Sequence, residues 1–373
     1  MNRIKEGIQK EPVLTIAAIL AILSCFFVTP DLQYIGYIDM RVLALLYCLM
    51  VVVAGIEQAG VFNRMATTLL QKCKSGKTLC LTLVMLCFFS AMIVTNDVAL
   101  ITFVPFAILV MCASRQEQWL PWVISLQTVA ANLGSMLTPI GNPQNLYLYN
   151  CYGFDAKSFF GITFPLTLVS FVVLCALCFV APIRNVSMKT EQEKQPMTKE
   201  QKRQTLECSI LFSLCLGTVF HLIEWPVLLV MVIIELLLFN RKLLKSADFN
   251  LLVTFVCFFV FAGNLARIPF LQEFLSQIML QKEVLVSAIV SQVISNVPAA
   301  VLLSGFTGNG AGLLLGVNIG GLGTPIASLA SLISLKAYAK TTNANMGKYL
   351  TIFSVLNVVI LIVFLLLSYT FMK

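Results

Sequence analysis

The sequence predicts an all-α polytopic membrane protein with two inverted repeats, each containing a re-entrant hairpin and a broken transmembrane helix. Three observations predict it. The 373 residues are 59% hydrophobic and only 11% charged, whereas a soluble domain carries about 25% charged residues. The charges gather in short stretches between long apolar runs, as in spans joined by loops. A Gly/Thr/Pro-bearing segment also occurs twice, with an Asn-bearing segment ahead of each copy.

The elements follow from a span length of about 20 apolar residues. Full spans are expected at 12–29, 39–56, 119–145, 158–182, 208–222, 226–240, 249–265, 311–333 and 348–371. Those at 119–145 and 311–333 are interrupted. Two further apolar regions, 77–114 and 284–306, have a polar break at their centre and read as hairpins. The leg at 284–294 rises only about 16 Å and reaches the bilayer midplane. The legs at 78–94 and 98–114 are long enough to cross, and symmetry with the second hairpin favours re-entry. Five parts result: an N-terminal span (1–38), repeat 1 (39–183), a polar cytoplasmic linker (184–207), connecting spans (208–247) and repeat 2 (248–373).

Loop charge sets the orientation. Arg3, Lys5 and Lys10 precede the first span, and Arg64, Lys72, Lys74 and Lys77 follow the second. Arg115, the six basic residues of the linker, Arg241, Lys242, Lys245, Lys336, Lys340 and Lys348 fall on that same side. The positive-inside rule makes this side, and the N-terminus, cytoplasmic. The apolar run 13–28 has no small-residue cleavage site, so it reads as a retained span.

The repeat is read directly. Ala131–Ile140 aligns without a gap on Val317–Ile326, so Asn132 meets Asn318, Gly134 meets Gly320, and Thr138-Pro139 meets Thr324-Pro325. Thr95-Asn96-Asp97 precedes the first copy and Ser295-Asn296-Val297 the second. Span 39–56 runs inward and its partner 249–265 outward, which inverts the repeats. Broken helices in inverted repeats are where secondary transporters bind solute and ions.

A break strands N–H and C=O groups at several kcal/mol apiece in lipid, so it must line protein or a water cavity. There, free carbonyls can ligate a cation and free N–H groups an anion. The candidate binding residues are therefore Thr95, Asn96, Asp97, Asn132, Thr138, Pro139, Gly141, Asn142 and Asn145 in repeat 1. In repeat 2 they are Ser295, Asn296, Val297, Asn318, Gly323, Thr324 and Pro325. A carboxylate at mid-depth is functional by default. Asp97 is thus expected to ligate Na⁺ or carry a proton, the alternative being a cap on a helix at 98–114. Glu57 is a second candidate carrier, either lining the cavity or sitting at the inner surface.

Other classes are disfavoured. The net charge of +8 sits in loops, so nucleic acid is not the partner. Twelve Cys lie mostly in apolar runs beside a single His, so they read as buried hydrophobes and not as metal ligands. No catalytic constellation and no phosphate-binding P-loop is present, so the chain does not read as an enzyme. No cofactor is expected, only Na⁺ or H⁺ as coupling ion, with Na⁺ at the Asn96 and Asn296 tips. No Lys or Arg falls in an expected membrane core.

The motifs TNDVALITFVPF (95–106), NLGSMLTPIGNPQN (132–145), SQVISNVPAAVLL (291–303) and VNIGGLGTPIASLASLI (317–333) resemble the ion transporter superfamily. Within it they are most similar to citrate-transporter-like permeases of the YbiR type, which are bacterial inner-membrane proteins. The resemblance covers nearly the whole chain. It implies a scaffold and a transport domain, a homodimer, and elevator-like alternating access. Relatives include divalent anion/sodium symporters, whose Ser-Asn-Thr hairpin tips contact carboxylates and sodium. Here both tips keep the Asn but depart at the third residue, and Asn96-Asp97 looks like the arsenite-pump branch. The expected function is transport of a small anionic, citrate-like solute coupled to Na⁺ or H⁺. The alternative is a cation/proton antiporter or a metalloid efflux permease.

Overall fold

The computed structural model describes residues 12–70, 73, 75–180, 183, 197–342 and 344–371. Regular structure among them is entirely helical. The expected basic N-terminus (1–11), Lys72, Lys74 and most of the linker (184–196) lie outside the described residues.

The chain opens with α1 (Pro12–Ser24), α2 (Gln33–Tyr37), α3 (Met40–Gln58) and α4 (Val61–Leu70). Next come α5 (Gly76–Val94), α6 (Asn96–Ala113), α7 (Leu120–Ser135), α8 (Pro143–Cys151) and α9 (Ala156–Cys178). Beyond the linker lie α10 (Lys199–Val219), α11 (Trp225–Phe239), α12 (Phe249–Ala266) and α13 (Pro269–Met279). The last five are α14 (Glu283–Ile294), α15 (Asn296–Ser304), α16 (Gly310–Gly320), α17 (Leu329–Ala339) and α18 (Met346–Phe371).

Six of these helices (α3, α5, α6, α9, α12 and α18) are long and apolar enough to cross a membrane, and α13 with α14, bent by 115°, makes a seventh if taken as one span. The chain is a multi-pass membrane protein. Large apolar side chains such as Leu168, Val172, Ile234 and Val359 stay exposed on its flanks, where lipid replaces water as the neighbour.

Several boundaries differ from those expected. Helix α10 starts at Lys199 rather than at 208, because Thr198 and Gln201 cap each other reciprocally, both bonds 3.1 Å; the C-terminal part of the linker is thus helical. The first break covers 136–142, and Asn145 lies inside α8. The second covers 321–328. Asn96 opens α6, so Asp97 sits in its first turn and does not cap a helix starting at 98. The one Cys-x-x-Cys spacing, Cys175 and Cys178, lies within α9 as free thiols.

Two apolar cores hold the helices. One is built from α5, α6, α7, α17 and α18, the other from α3, α8, α10, α12, α15 and α16. Glycines allow the closest approaches. A Cβ on Gly134 would overlap the Phe88 carbonyl oxygen, and one on Gly320 would stand 2.8 Å from Ala288 Cα. These are aligned positions, and each sets a helix entering a break directly against the backbone of a neighbour. At the heart of the first core, Gln127 donates from Nε2 to the Leu83 and Phe103 carbonyls, both 3.3 Å.

Adding one methyl at either glycine forces backbone apart, at about 1–3 kcal/mol. Gly134→Ala and Gly320→Ala should each lower the thermal unfolding midpoint in detergent by several degrees. Gly36→Ala, with open space around it, should not. Equal midpoints for all three would remove the close-approach argument.

Candidate functional site

Two single residues join helices at matching places. Thr95 links α5 to α6 with φ 79° and ψ 153°. Ser295 links α14 to α15 with φ 75° and ψ 154°. This region is essentially reserved for glycine, and a side chain there costs about 1–3 kcal/mol. The surroundings hold both turns in place. The Asn96 N–H donates to the Gly141 carbonyl at 3.1 Å, and the Asn296 N–H donates to the Ala327 carbonyl at 2.9 Å. Gly141 and Ala327 each stand three residues after the Thr of an aligned Thr-Pro. That Thr makes the second tie: Thr138 Oγ1 donates to the Met92 carbonyl, and Thr324 Oγ1 to the Gln292 carbonyl.

Each break frees carbonyls that lipid cannot satisfy. In the first, the Asn145 side chain donates to the Ser135, Met136 and Thr138 carbonyls at 3.0–3.2 Å. In the second, Gln292 donates to the Gly320 and Leu322 carbonyls at 2.8 and 3.0 Å and accepts from the Thr324 N–H at 2.9 Å. Different amides, differently placed in sequence, do the same task.

The two breaks are bonded to each other. Asn142 donates to Asn318 Oδ1 at 3.0 Å, and Ser328 donates to Asn132 Oδ1 at 3.0 Å. Asn142 and Ser328 occupy aligned positions, as do Asn318 and Asn132, so these bonds are a reciprocal pair. Asn96 adds a second donor to Asn132 Oδ1 at 3.1 Å, and Asn318 donates to Asn145 Oδ1 at 2.7 Å. Farther along, the Thr128 and Ser334 hydroxyls share a 2.7 Å hydrogen bond. Pairing 128 with 334 and 132 with 328 runs α7 antiparallel to α17.

Two spaces open beside this cluster. A void of about 10 Å³, the size of one water or small ion, is bounded by Asn96, Asp97, Gln144, Asn296, Val297 and Ser328 together with apolar side chains. Next to it lies a cavity of about 240 Å³. Its polar lining comprises Glu57, Thr95, Asp97, Asn142, Ser246 and Asp248, and the rest is aliphatic. Asp97 borders both spaces, and its Oδ1 is buried without a hydrogen-bond partner. Glu57 Oε1 accepts a long 3.4 Å bond from Thr102. No Lys, Arg or His lines either space. Among the described residues, no three His, Cys, Asp or Glu side chains converge as metal ligands.

The residues singled out from the sequence thus separate. Asn96, Asp97, Asn296 and Val297 face the void, and Thr95, Glu57, Asp97 and Asn142 face the cavity. Asn132, Asn145, Asn318 and Ser295 are buried behind them. Thr138, Pro139, Gly141, Gly323, Thr324 and Pro325 border neither space, and Thr324 is exposed. Sequence reasoning missed Ser328, Gln292 and Asp248. Ser328 was open to discovery as the aligned partner of Asn142. Asp248 carried no such signal, since it caps α12 through the Leu251 N–H and reaches the cavity only through packing.

The strained turns make a testable point. Thr95→Gly should raise the thermal midpoint, because the backbone strain it relieves exceeds the 0.4–1 kcal/mol or so by which glycine favours the unfolded chain. Thr95→Ala should not. A lower midpoint for the glycine variant would contradict the strain.

Known proteins give this arrangement its relatives. The sequence pattern of the family described as citrate transporter matches residues 6–308. An uncharacterized transporter of Methanocaldococcus jannaschii is 30% identical over 327 residues, covering 87% of this chain and 88% of its own. Inner membrane protein YbiR of Escherichia coli is 31% identical over 309 residues, 80% of each chain. A silicon efflux transporter of Oryza sativa is 33% identical over 111 residues, covering 30% of this chain and 22% of its own. With paired, interrupted helices at its centre and the family's pattern along most of its length, the chain belongs to the citrate transporter family of the ion transporter superfamily.

Proposed function

We propose that the protein is a secondary active transporter that holds a small solute between the tips of two inverted re-entrant hairpins. The observation that carries this is the void where the Asn96 and Asn296 turns meet, at the junction of both helix breaks. Inversion is supported by the antiparallel register of α7 and α17 and by depth. Helix α7 rises about 24 Å to its break and α16 about 16 Å to its own. The breaks are bonded together, so the two distances add to about 40 Å, near the thickness of a bilayer with head groups, if the helices enter from opposite faces. The legs of the first hairpin, 19 and 18 residues, exceed those of the second, 12 and 9. They reach a break that lies correspondingly deeper from their side.

In this reading Asn96, Asn296, Gln144 and Ser328 contact the solute. Asp97 carries the coupling H⁺ or ligates Na⁺, with Glu57 on the route to it. Asn132, Asn142, Asn145 and Asn318 form the rigid frame. Alternating access follows from an elevator-type shift of one unit against a scaffold, in a homodimer in the inner membrane with its N-terminus in the cytoplasm. The family's name favours a carboxylate such as citrate. A lining with Asp97, Glu57 and Asp248 and no cationic side chain favours a second solute class, an uncharged oxyacid or an inorganic cation, because it repels a multivalent anion. The silicon-exporting relative points the same way.

Purified protein in proteoliposomes, offered citrate, dicarboxylates, arsenite, silicic acid, Na⁺ and Li⁺ under imposed pH or Na⁺ gradients, decides between these classes. Asn96→Ala and Asn296→Ala should each abolish the flux found while expression holds. Normal flux in both would remove the tips from the mechanism. Asp97→Asn should flatten the pH or Na⁺ dependence, and an unchanged dependence would leave Asp97 no part in coupling.

A further inference from the structure

A second polar feature leaves the tip cluster, and none of its residues lines the carboxylate cavity. On α7, Ser125, Thr128 and Asn132 share one face by their spacing of three and four residues. On α17, Ser331 and Ser334 continue from Ser328 at steps of three. All six are buried, with Ser125, Thr128, Ser331 and Ser334 at 0% exposure. The Ser328–Asn132 and Thr128–Ser334 bonds set these faces against each other. Tyr349 of α18 closes the seam. Its hydroxyl faces Thr128 without the geometry of a hydrogen bond. Its ring stacks on Tyr338 at 4.8 Å, and Tyr338 accepts from the Asn345 N–H at the end bearing exposed Lys340 and Lys348.

Three hydroxyls in this seam, Ser125 Oγ, Ser331 Oγ and Tyr349 Oη, are buried with no partner. An unpaired buried hydroxyl costs about 1–3 kcal/mol. Serines in helices usually avoid that cost by bonding back to a carbonyl one turn earlier, as Thr128 does to Ile124 at 2.8 Å. Here two serines and a tyrosine do not, although they sit within one seam. A cation does not answer their need, since it takes lone pairs and leaves each O–H hydrogen without an acceptor. Water both donates and accepts. Successive positions on one helix face differ by about 4.5 Å in height, a distance one bridging water spans.

We propose that this seam holds a file of water running from the Asn132–Ser328 end of the tip cluster to the face bearing Lys340 and Lys348. The file gives the coupling proton a second path, in addition to the Glu57 route along the cavity. That assignment rests on the transport reading, whereas the presence of the water does not.

X-ray hydroxyl-radical footprinting of the purified chain in detergent tests it, because buried side chains oxidise quickly only where water adjoins them. After correction for intrinsic reactivity, Tyr349 should label roughly tenfold faster than Phe103, which is equally buried in the apolar core. Ser125→Ala combined with Ser331→Ala should slow Tyr349 labelling several-fold with folding intact. Tyr349 labelling no faster than Phe103, or unchanged in the double variant, would mean a dry seam and overturn the proposal. Protection of Tyr349 by Na⁺ that disappears in Ser331→Ala would overturn it in favour of a cation site. Fast labelling in a protein whose Asn96→Ala and Asn296→Ala variants transport normally would keep the water file and discard only its place in transport.

Discussion

The structure turns on one constraint: a backbone interrupted inside hydrocarbon must find every lost hydrogen-bond partner within the protein. Two helices, α7 and α16, stop at breaks, and each stop frees carbonyls and N–H groups that the protein itself must satisfy. The turn at Thr95 answers the first break through the Asn96 N–H, and the turn at Ser295 answers the second through the Asn296 N–H. Break and turn are therefore tied by one backbone hydrogen bond in each half.

The same constraint explains where the halves differ. Carbonyl satisfaction falls to Asn145, downstream of its break, in one half and to Gln292, upstream of its break, in the other. The physical demand is fixed while the residue meeting it is free, so the aligned partners of these two amides are Ser331 and Met92. Ser331, released from that duty, is one of the unpaired hydroxyls of the α7–α17 seam. An amide frame also suits a transporter. Amides are neutral, donate and accept, and hold geometry without burying charge, so the charge at the site is left to Asp97 on the cavity wall.

A neutral frame with carboxylates to one side separates two tasks. The void between the turns is small and lined largely by polar side chains, and in the proposed transport cycle it is where solute or ion is selected by hydrogen bonding. The adjoining cavity is larger and mostly aliphatic, with the carboxyl groups of Glu57, Asp97 and Asp248 on its wall and no cationic side chain. On the proposed transport reading, that lining favours cations and neutral molecules over polyanions. The family's name therefore does not fix the cargo of this member. The third position of the two tips differs between the halves, with a carboxyl group at Asp97 and an alkyl group at Val297.

The sequence by itself determined the class of molecule, because apolar length and scarce charge leave a chain no stable home but a bilayer. It also located both breaks and both Asn turns, since Gly, Pro and Asn announce interrupted helix through local backbone chemistry. Boundaries were less legible: the start of α10 at Lys199 depended on a cap that polar composition concealed, and Asn145 proved to lie within α8. Only the tertiary structure decided which candidates face open space and which brace it. Thr138 and Thr324 point at neighbouring carbonyls and away from the void, Asp248 arrives from a helix about 150 residues distant, and Asn142 and Ser328 reach across to the opposite break. Local sequence encodes where a helix must stop. Which side chains then converge is set by how distant helices pack, and no short-range pattern records that.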